Sequence, residues 1–276
     1  MNNIQSLENE NRELKARLSE LSKVNERLEG ELSMAVKLKY HMMPNIYPAF
    51  PDVGDFDIYA DSIQIEQVGG DFYDFFRIDY DHIGIVIADI FDGGTAAALY
   101  MVAFKLLLTS QISMDNTLSE KIESVNDNLC WKNEDDLCLS AWYGIYEIST
   151  GRLSCVNAGH ERTLLSRKKK LYLMENEEIS YLLGVIDGMK YTSYDIILEP
   201  GDKIILYTDG VINSRDNAGE CYGKKRLKAA CDKTHGLTCE ETVAALESDF
   251  SKFIDKSGLG EDASFLCFSR RGGEDG

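Results

Sequence analysis

Positive charge, proline, paired cysteines and long apolar runs are what this 276-residue chain has least of. Its 29 Lys+Arg stand against 47 Asp+Glu, a formal net charge of −18. Nucleic-acid binding recruits a basic surface to the phosphate backbone, so an acidic excess of this size excludes that class. No apolar stretch approaches the roughly 20 residues of a membrane-spanning helix. The opening Met-Asn-Asn-Ile-Gln-Ser has neither a basic nor a hydrophobic leader region, so the chain is expected to be cytoplasmic and free of membrane. Seven cysteines, an odd number, form no C-x-x-C pair and read as reduced thiols. What is present is core material: 44% of residues are hydrophobic and 10% aromatic, which excludes global disorder.

Three of the four prolines, Pro44, Pro48 and Pro51, fall within eight residues, where each fixes φ and biases its predecessor away from helix. A helix beginning near the start should therefore stop near Met43. Residues 1–40 hold seven acidic and seven basic side chains, so the whole acidic excess belongs to residues 41–276, with 40 acidic and 22 basic. The neutral segment reads as a heptad repeat. Ile4, Asn11, Leu18, Asn25, Leu32 and Lys39 fall at a, and Leu7, Leu14, Leu21, Leu28, Ala35 and Met42 fall at d. So narrow an apolar stripe makes no core by itself and needs another helix. Leucine at d with asparagine at two a positions favours a parallel two-stranded coil, in which Glu10 would meet Lys15 of the partner subunit. A leucine-zipper transcription factor is not expected, because its basic region should precede the zipper and only three residues of this sequence do.

Beyond the coil, strand-like and helix-like runs alternate. Strands are predicted over 55–63, 71–78, 83–88, 138–148, 152–157, 171–174, 191–198, 203–208 and 263–269, and helices over 95–112, 118–132, 224–233 and 239–255. Ser149-Thr150-Gly151 and Glu199-Pro200-Gly201-Asp202 carry turn chemistry, which favours antiparallel hairpins. Hairpins flanked by two helix pairs predict a layered α/β fold. The expected division is a dimeric coiled-coil helix at 1–43, a Pro-rich linker at 44–54, a catalytic domain at 55–271 and a disordered tail at 272–276.

Acidic residues stand at the mouths of four apolar strands: Asp71 after Gly69-Gly70, Asp89 after Ile-Val-Ile-Ala, Asp209 after Ile-Ile-Leu-Tyr-Thr, and Glu261-Asp262 before Ala-Ser-Phe-Leu-Cys-Phe. A carboxylate at the end of a buried strand loses solvation and needs an offsetting partner, and few basic residues lie nearby. A hard divalent cation, Mg²⁺ or Mn²⁺, prefers such oxygen ligands, and two ions sharing one carboxylate could activate water and neutralise phosphate oxygens. Taken singly, each of these aspartates also reads as a turn or cap residue.

Val68-Gly-Gly-Asp-Phe-Tyr-Asp-Phe75, Ile87-Ala-Asp89 followed by Gly94 and Ala96-Ala-Ala-Leu99, Asn157-Ala-Gly-His160, Leu206-Tyr-Thr-Asp-Gly-Val211 and Glu261-Asp-Ala-Ser264 occur in one order along residues 42–270. In that order and spacing the chain resembles the SpoIIE/RsbU-like branch of the PPM metal-dependent protein phosphatases. The resemblance implies an α-β-β-α sandwich of mainly antiparallel sheets, here preceded by the long coiled-coil helix. It implies two Mn²⁺ or Mg²⁺ ions per protomer and hydrolysis of a phosphoserine or phosphothreonine ester by metal-activated water. Position by position, Asp71, Asp89 and Asp209 carry catalysis through the metals, with Asp89 bridging and the carbonyl of Ile90 adding a ligand. Glu261 takes the last ligand position, and Asp262 is the alternative. Asn157, His160 and Gly210 fall on the substrate side, and Asp74 and Asp92 are outer-shell candidates.

Two departures stand out. Glu261 is one methylene longer than the family's aspartate, and Ile90-Phe91-Asp92-Gly93-Gly94 replaces the usual Val-Ser-Gly-Lys/His-Gly. On the residues alone, His160 reads equally as a leaving-group acid or substrate contact and as a hairpin residue. Arg167 to Lys170 reads as a solvated hairpin tip, and Phe72, Tyr73, Phe75 and Phe76 as core and rim. By resemblance the substrate is a phosphorylated STAS-type anti-sigma-factor antagonist in bacterial partner switching, with an upstream sensor protein acting through the coil. The competing readings are a weak or inactive pseudophosphatase that binds a phosphoprotein as a dimeric regulator, and a coiled-coil adaptor.

Overall fold

The computed structural model describes residues 2–64, 69–91, 94–110, 116–131, 133–134, 136–174, 180–254 and 262–272. Helix α1 runs Asn2–Met42 and ends two residues before Pro44, where the missing amide and fixed φ of proline stop it. Its a and d residues from Ile4 to Leu28 lie open, with large apolar side chains 51% to 67% exposed. The seam then changes partner. Leu32 and Ala35 are half-buried and Lys39 and Met43 buried, because the last turns of α1 pack on helix α2 (Gly94–Ser110) of the same chain. The heptads predicted to face a partner to residue 42 are therefore open only to about Leu28.

Two five-stranded antiparallel sheets follow. The first has the order β1-β10-β9-β6-β7, with β1 Phe56–Ile63, β6 Leu164–Arg167, β7 Lys170–Leu173, β9 Lys203–Tyr207 and β10 Ala263–Arg270. The second has the order β2-β3-β4-β5-β8, with β2 Phe72–Arg77, β3 His82–Ile90, β4 Leu139–Glu147, β5 Arg152–Ala158 and β8 Ser193–Ile197. Central strands are apolar on both faces, as in the fully buried Lys203–Tyr207, because one face meets the opposite sheet and the other meets helices. Phe56 and Phe268 of the first sheet close on Tyr146 of the second, with ring centroids 4.7 to 5.8 Å apart. Helix α6 (Cys239–Ile254) packs on β1 and β10, and α3 (Leu118–Cys130) on β5. A capping box starts α3: Glu120 N donates to Thr117 Oγ1 at 3.3 Å and Thr117 N to Glu120 Oε2 at 2.8 Å.

The segment at 44–54 lies against the sandwich, with Tyr47 Oη donating to the Ala60 carbonyl at 2.8 Å and Phe50 meeting Phe56 at 5.5 Å. Two elements escaped the pattern of the sequence, β6 and the five-residue helix α4 (Asp209–Asn213). Both are too short to show a period. Helix α5 spans Gly223–Cys231. All seven cysteines are free thiols, and no helix among the described residues is long and apolar enough to cross a membrane.

Candidate active site

Strand register brings the predicted acids to one end of the sandwich. Phe72 pairs with Ala88, which sets Asp71, just before β2, beside Asp89 near the end of β3. Tyr207 pairs with Phe265, so Asp209 at the start of α4 and Asp262 just before β10 leave the first sheet at the same edge. Asp89 lies within hydrogen-bonding reach of both Asp71 and Asp209. Burial, and then the charges of Asp71 and Asp209, push the Asp89 carboxyl well above the usual carboxylate range. Asp71 is raised too, chiefly by burial. Hydroxyl bonds from Thr208 and Ser264 oppose that rise, Asp262 adds to it, and the Lys39 ammonium again opposes it.

The glycines before Asp71 show what the site leaves room for. A methyl on Gly70 would sit 2.2 Å from the Ile90 carbonyl oxygen and 2.8 Å from Asp89 Oδ1, and one on Gly69 would sit 1.4 Å from Asp262 Oδ2. Absent side chains thus form a cradle walled by Asp89, the Ile90 carbonyl and Asp262. Ile90 N donates to the Gly70 carbonyl at 3.3 Å and fixes the turn. This all-oxygen donor set fits Mg²⁺ or Mn²⁺, and the mutual repulsion of the acids is what a divalent ion relieves. Among the described residues no three Asp, Glu, His or Cys side chains surround a single point. The acids meet pairwise instead, Asp89 with Asp71 and Asp89 with Asp209.

Other expected site residues have different places. Asp74, an outer-shell candidate, is buried and paired with Lys105 at 2.9 Å, on the side of β2 that faces α2. His160 is buried, with Nδ1 2.9 Å from Ser140 Oγ. Burial pulls its imidazole down to about 4, and the Tyr207 carbonyl pulls the other way. A ring so enclosed and so reluctant to take up a proton is poorly placed as a leaving-group acid. Asn157 caps the same turn, accepting from His160 N at 2.8 Å and donating to the His160 carbonyl at 3.1 Å. Gly210 is buried in the first turn of α4, one residue past Asp209. Glu261 and Asp92 lie outside the described residues, so of the two candidates for the last ligand Asp262 is the one with a defined place.

Arg167 is not part of a solvated tip. Its guanidinium clasps buried Asp202, and only Lys168 and Lys169, both at positive φ, form the exposed turn of the β6–β7 hairpin. Phe72, Tyr73 and Phe75 are core, as expected. Sequence reasoning passed over Thr208, Ser264 and Lys39. The first two stand one residue before and two residues after named acids, a spacing with meaning only once β9 and β10 are paired.

Residues 79–271 match the sequence profile of a family described as Stage II sporulation protein E (SpoIIE). Protein IcfG of Synechocystis is 26% identical over 231 residues, covering 71% of this chain and 35% of that protein. Phosphoserine phosphatase RsbU of Bacillus subtilis is 26% identical over 196 residues, covering 71% of this chain and 57% of RsbU. The chain thus spans well under two thirds of either relative. Among solved structures, the SiaA-PP2C domain of Pseudomonas aeruginosa superposes with a TM-score of 0.75 at 16% identity, over 89% of this chain and 98% of that one. The RsbU and RsbW domains of Rv1364c from Mycobacterium tuberculosis give 0.65 at 22% identity, over 78% of this chain and 60% of that one. At these identities the structural likeness speaks for the fold.

Proposed function

The chain belongs to the SpoIIE family of PP2C-type phosphatases, and we propose that it is a Mn²⁺- or Mg²⁺-dependent protein serine/threonine phosphatase with two ions per protomer. The observation that carries this is Asp89 flanked by Asp71 and Asp209 beside the Ile90 carbonyl, in a cradle kept open by Gly70. Asp71, Asp89, Asp209 and the Ile90 carbonyl would hold the ions, with Asp262 the further ligand. When bound, such ions supply an activated water and neutralise phosphate oxygens. The chain's own part is to present charge and shape. The acids are held at strand ends, and the raised proton affinity of Asp71 and Asp89 means that a cation displaces protons as it binds. The reaction is hydrolysis: water and a phosphoserine or phosphothreonine ester give the free hydroxyl and inorganic phosphate.

The substrate that fits best is a phosphorylated STAS-type antagonist of an anti-sigma factor, in cytoplasmic partner switching. The phosphoserine phosphatase RsbU, and a solved protein that joins RsbU and RsbW domains, support that reading. The open a and d residues of α1 support a parallel homodimer, through which a sensor protein would act. The decisive assay is turnover of p-nitrophenyl phosphate and of a phosphoserine peptide, with and without Mn²⁺, for wild type and Asp89→Asn. Metal-dependent phosphate release lost in D89N is the expected result. Metal-independent or absent turnover would overturn the assignment, and phosphopeptide binding without turnover would identify a pseudophosphatase.

A further inference from the structure

Asp71 joins the two sheets through one of its oxygens. Its side chain leaves the residue before β2 in the second sheet, and its Oδ2 accepts from Thr208 Oγ1 at 2.7 Å, directly after β9, and from Ser264 Oγ at 2.7 Å, in β10 of the first sheet. Thr208 and Ser264 are fully buried, and Asp71 is 2% exposed. Proton counting fixes the directions, because a hydroxyl carries one hydrogen. Thr208 donates to Asp71 and accepts from Ser264 N at 2.9 Å. Ser264 donates its single proton to the carboxylate, the stronger acceptor, so the contact of 3.0 Å with Ser62 Oγ is filled by the Ser62 hydroxyl donating to it. Ser62 stands opposite Ser264 in the β1–β10 ladder, so two segments reach a single oxygen of Asp71 and a third supports Ser264 behind them.

Oδ2 thus accepts two buried hydrogen bonds, and Oδ1 is the oxygen left to an ion. Rotating the carboxylate to offer both oxygens would break two buried hydrogen bonds. Resting on the metal-site reading above, we propose that Thr208 and Ser264 are positioning residues that restrict Asp71 to one-oxygen coordination and so favour small octahedral cations over Ca²⁺. The chemical reason is the difference in demand. Mg²⁺ requires near-ideal six-fold geometry at short distances, whereas Ca²⁺ takes six to eight oxygens and readily uses carboxylates with both. A carboxylate locked to one oxygen satisfies the first ion and undersupplies the second.

The test is calorimetric titration of the full chain with Mn²⁺, Mg²⁺ and Ca²⁺, comparing wild type, Thr208→Val, Ser264→Ala, Thr208→Ser and Ser264→Thr. Removing a hydroxyl that orients a ligand should weaken Mn²⁺ and Mg²⁺ binding about 10- to 100-fold. Ca²⁺ binding should fall less, so the Mn²⁺/Ca²⁺ affinity ratio shrinks. The variants that keep a hydroxyl, T208S and S264T, should stay close to wild type in both affinity and ratio, which a loss of bulk packing would not reproduce. Circular dichroism in EDTA checks the fold, and should T208V not fold, S264A decides by itself. An unchanged Mn²⁺/Ca²⁺ ratio in a folded hydroxyl-less variant overturns the proposal. A wild-type chain that binds none of the three ions overturns the metal-site reading beneath it.

Discussion

The ammonium of Lys39, in the last turn of α1, donates to the backbone carbonyl of Gly69, two residues before Asp71. Lys39 is 3% exposed although it belongs to a helix outside the sandwich. One turn on, the Met42 carbonyl accepts from Lys105 Nζ at 2.7 Å, and Lys105 pairs with Asp74. The end of α1 is thus tied at two points to the segment that carries Asp71.

Replacing Lys39 by methionine keeps most of the packing and leaves the Gly69 carbonyl without this donor. Losing one partner of a buried hydrogen bond typically costs about 1–3 kcal/mol. K39M should therefore lower the urea midpoint clearly, while an exposed control such as Lys37→Met does not. Equal midpoints for the two variants would show that the contact contributes nothing.

Gly70→Ala tests the cradle. The added carbon meets the Ile90 carbonyl oxygen at 2.2 Å, a backbone atom that cannot move without disturbing Asp89. Mn²⁺ affinity should fall by roughly tenfold or more, in the range seen when groups that orient ligands are lost. Gly54→Ala, whose added carbon meets nothing within 4 Å, should bind as wild type. Tight Mn²⁺ binding by G70A would place the ions elsewhere.

Divalent ions should stabilise the fold, because they bind the native cluster of acids and not the unfolded chain. At a concentration 100 times Kd the gain is about 2.7 kcal/mol. Thermal melts in Mn²⁺ against EDTA should show a rise of several degrees in wild type and little in D89N. An equal rise in both would mean that Asp89 is no ligand.

His160 predicts an acid limb in the stability profile. Its pKa is lowered by burial from 6.5 to about 4, so the unfolded chain takes up the proton first as pH falls. Its contribution is complete above pH 6.5 and is lost between about 6.5 and 4, with a slope approaching 1.4 kcal/mol per pH unit. His160→Asn should flatten that limb, at the cost of lower stability at pH 7. A wild-type limb unchanged by the substitution would show that other groups cause it.

Truncation tests the coil only if it spares the end of the helix. Removing residues 1–30 takes away the open seam but keeps Leu32, Ala35 and Lys39, which serve the chain's own domain. The expected result in sedimentation equilibrium is a dimer for the full chain and a monomer for the truncated one, which still binds Mn²⁺. A dimer after truncation would move the interface to the sandwich.

Much of this was legible in the chain itself. Strand period, Gly-containing turns and capping residues located all but β6 and α4, since long elements repeat their pattern often enough to be read. Asp71, Asp89 and Asp209 stood out as candidates because a carboxylate at the mouth of an apolar strand conflicts with burial. The heptad seam was legible as a stripe, but not where it ends, because Leu32 and Lys39 sit in the same register whether they face a second coil or their own domain.

The sequence by itself determined the division into a neutral helix and an acidic sandwich, the antiparallel strand set and the candidate acids, because these follow from local periodicity and from the cost of isolated charge. Only the tertiary structure decided which acids meet, that Asp74 serves Lys105, that His160 is enclosed and neutral, and that Thr208, Ser264 and Lys39 converge on the Gly69–Asp71 segment. Those relations join residues up to 193 positions apart. They depend on register between strands and on packing between layers, which no local pattern encodes.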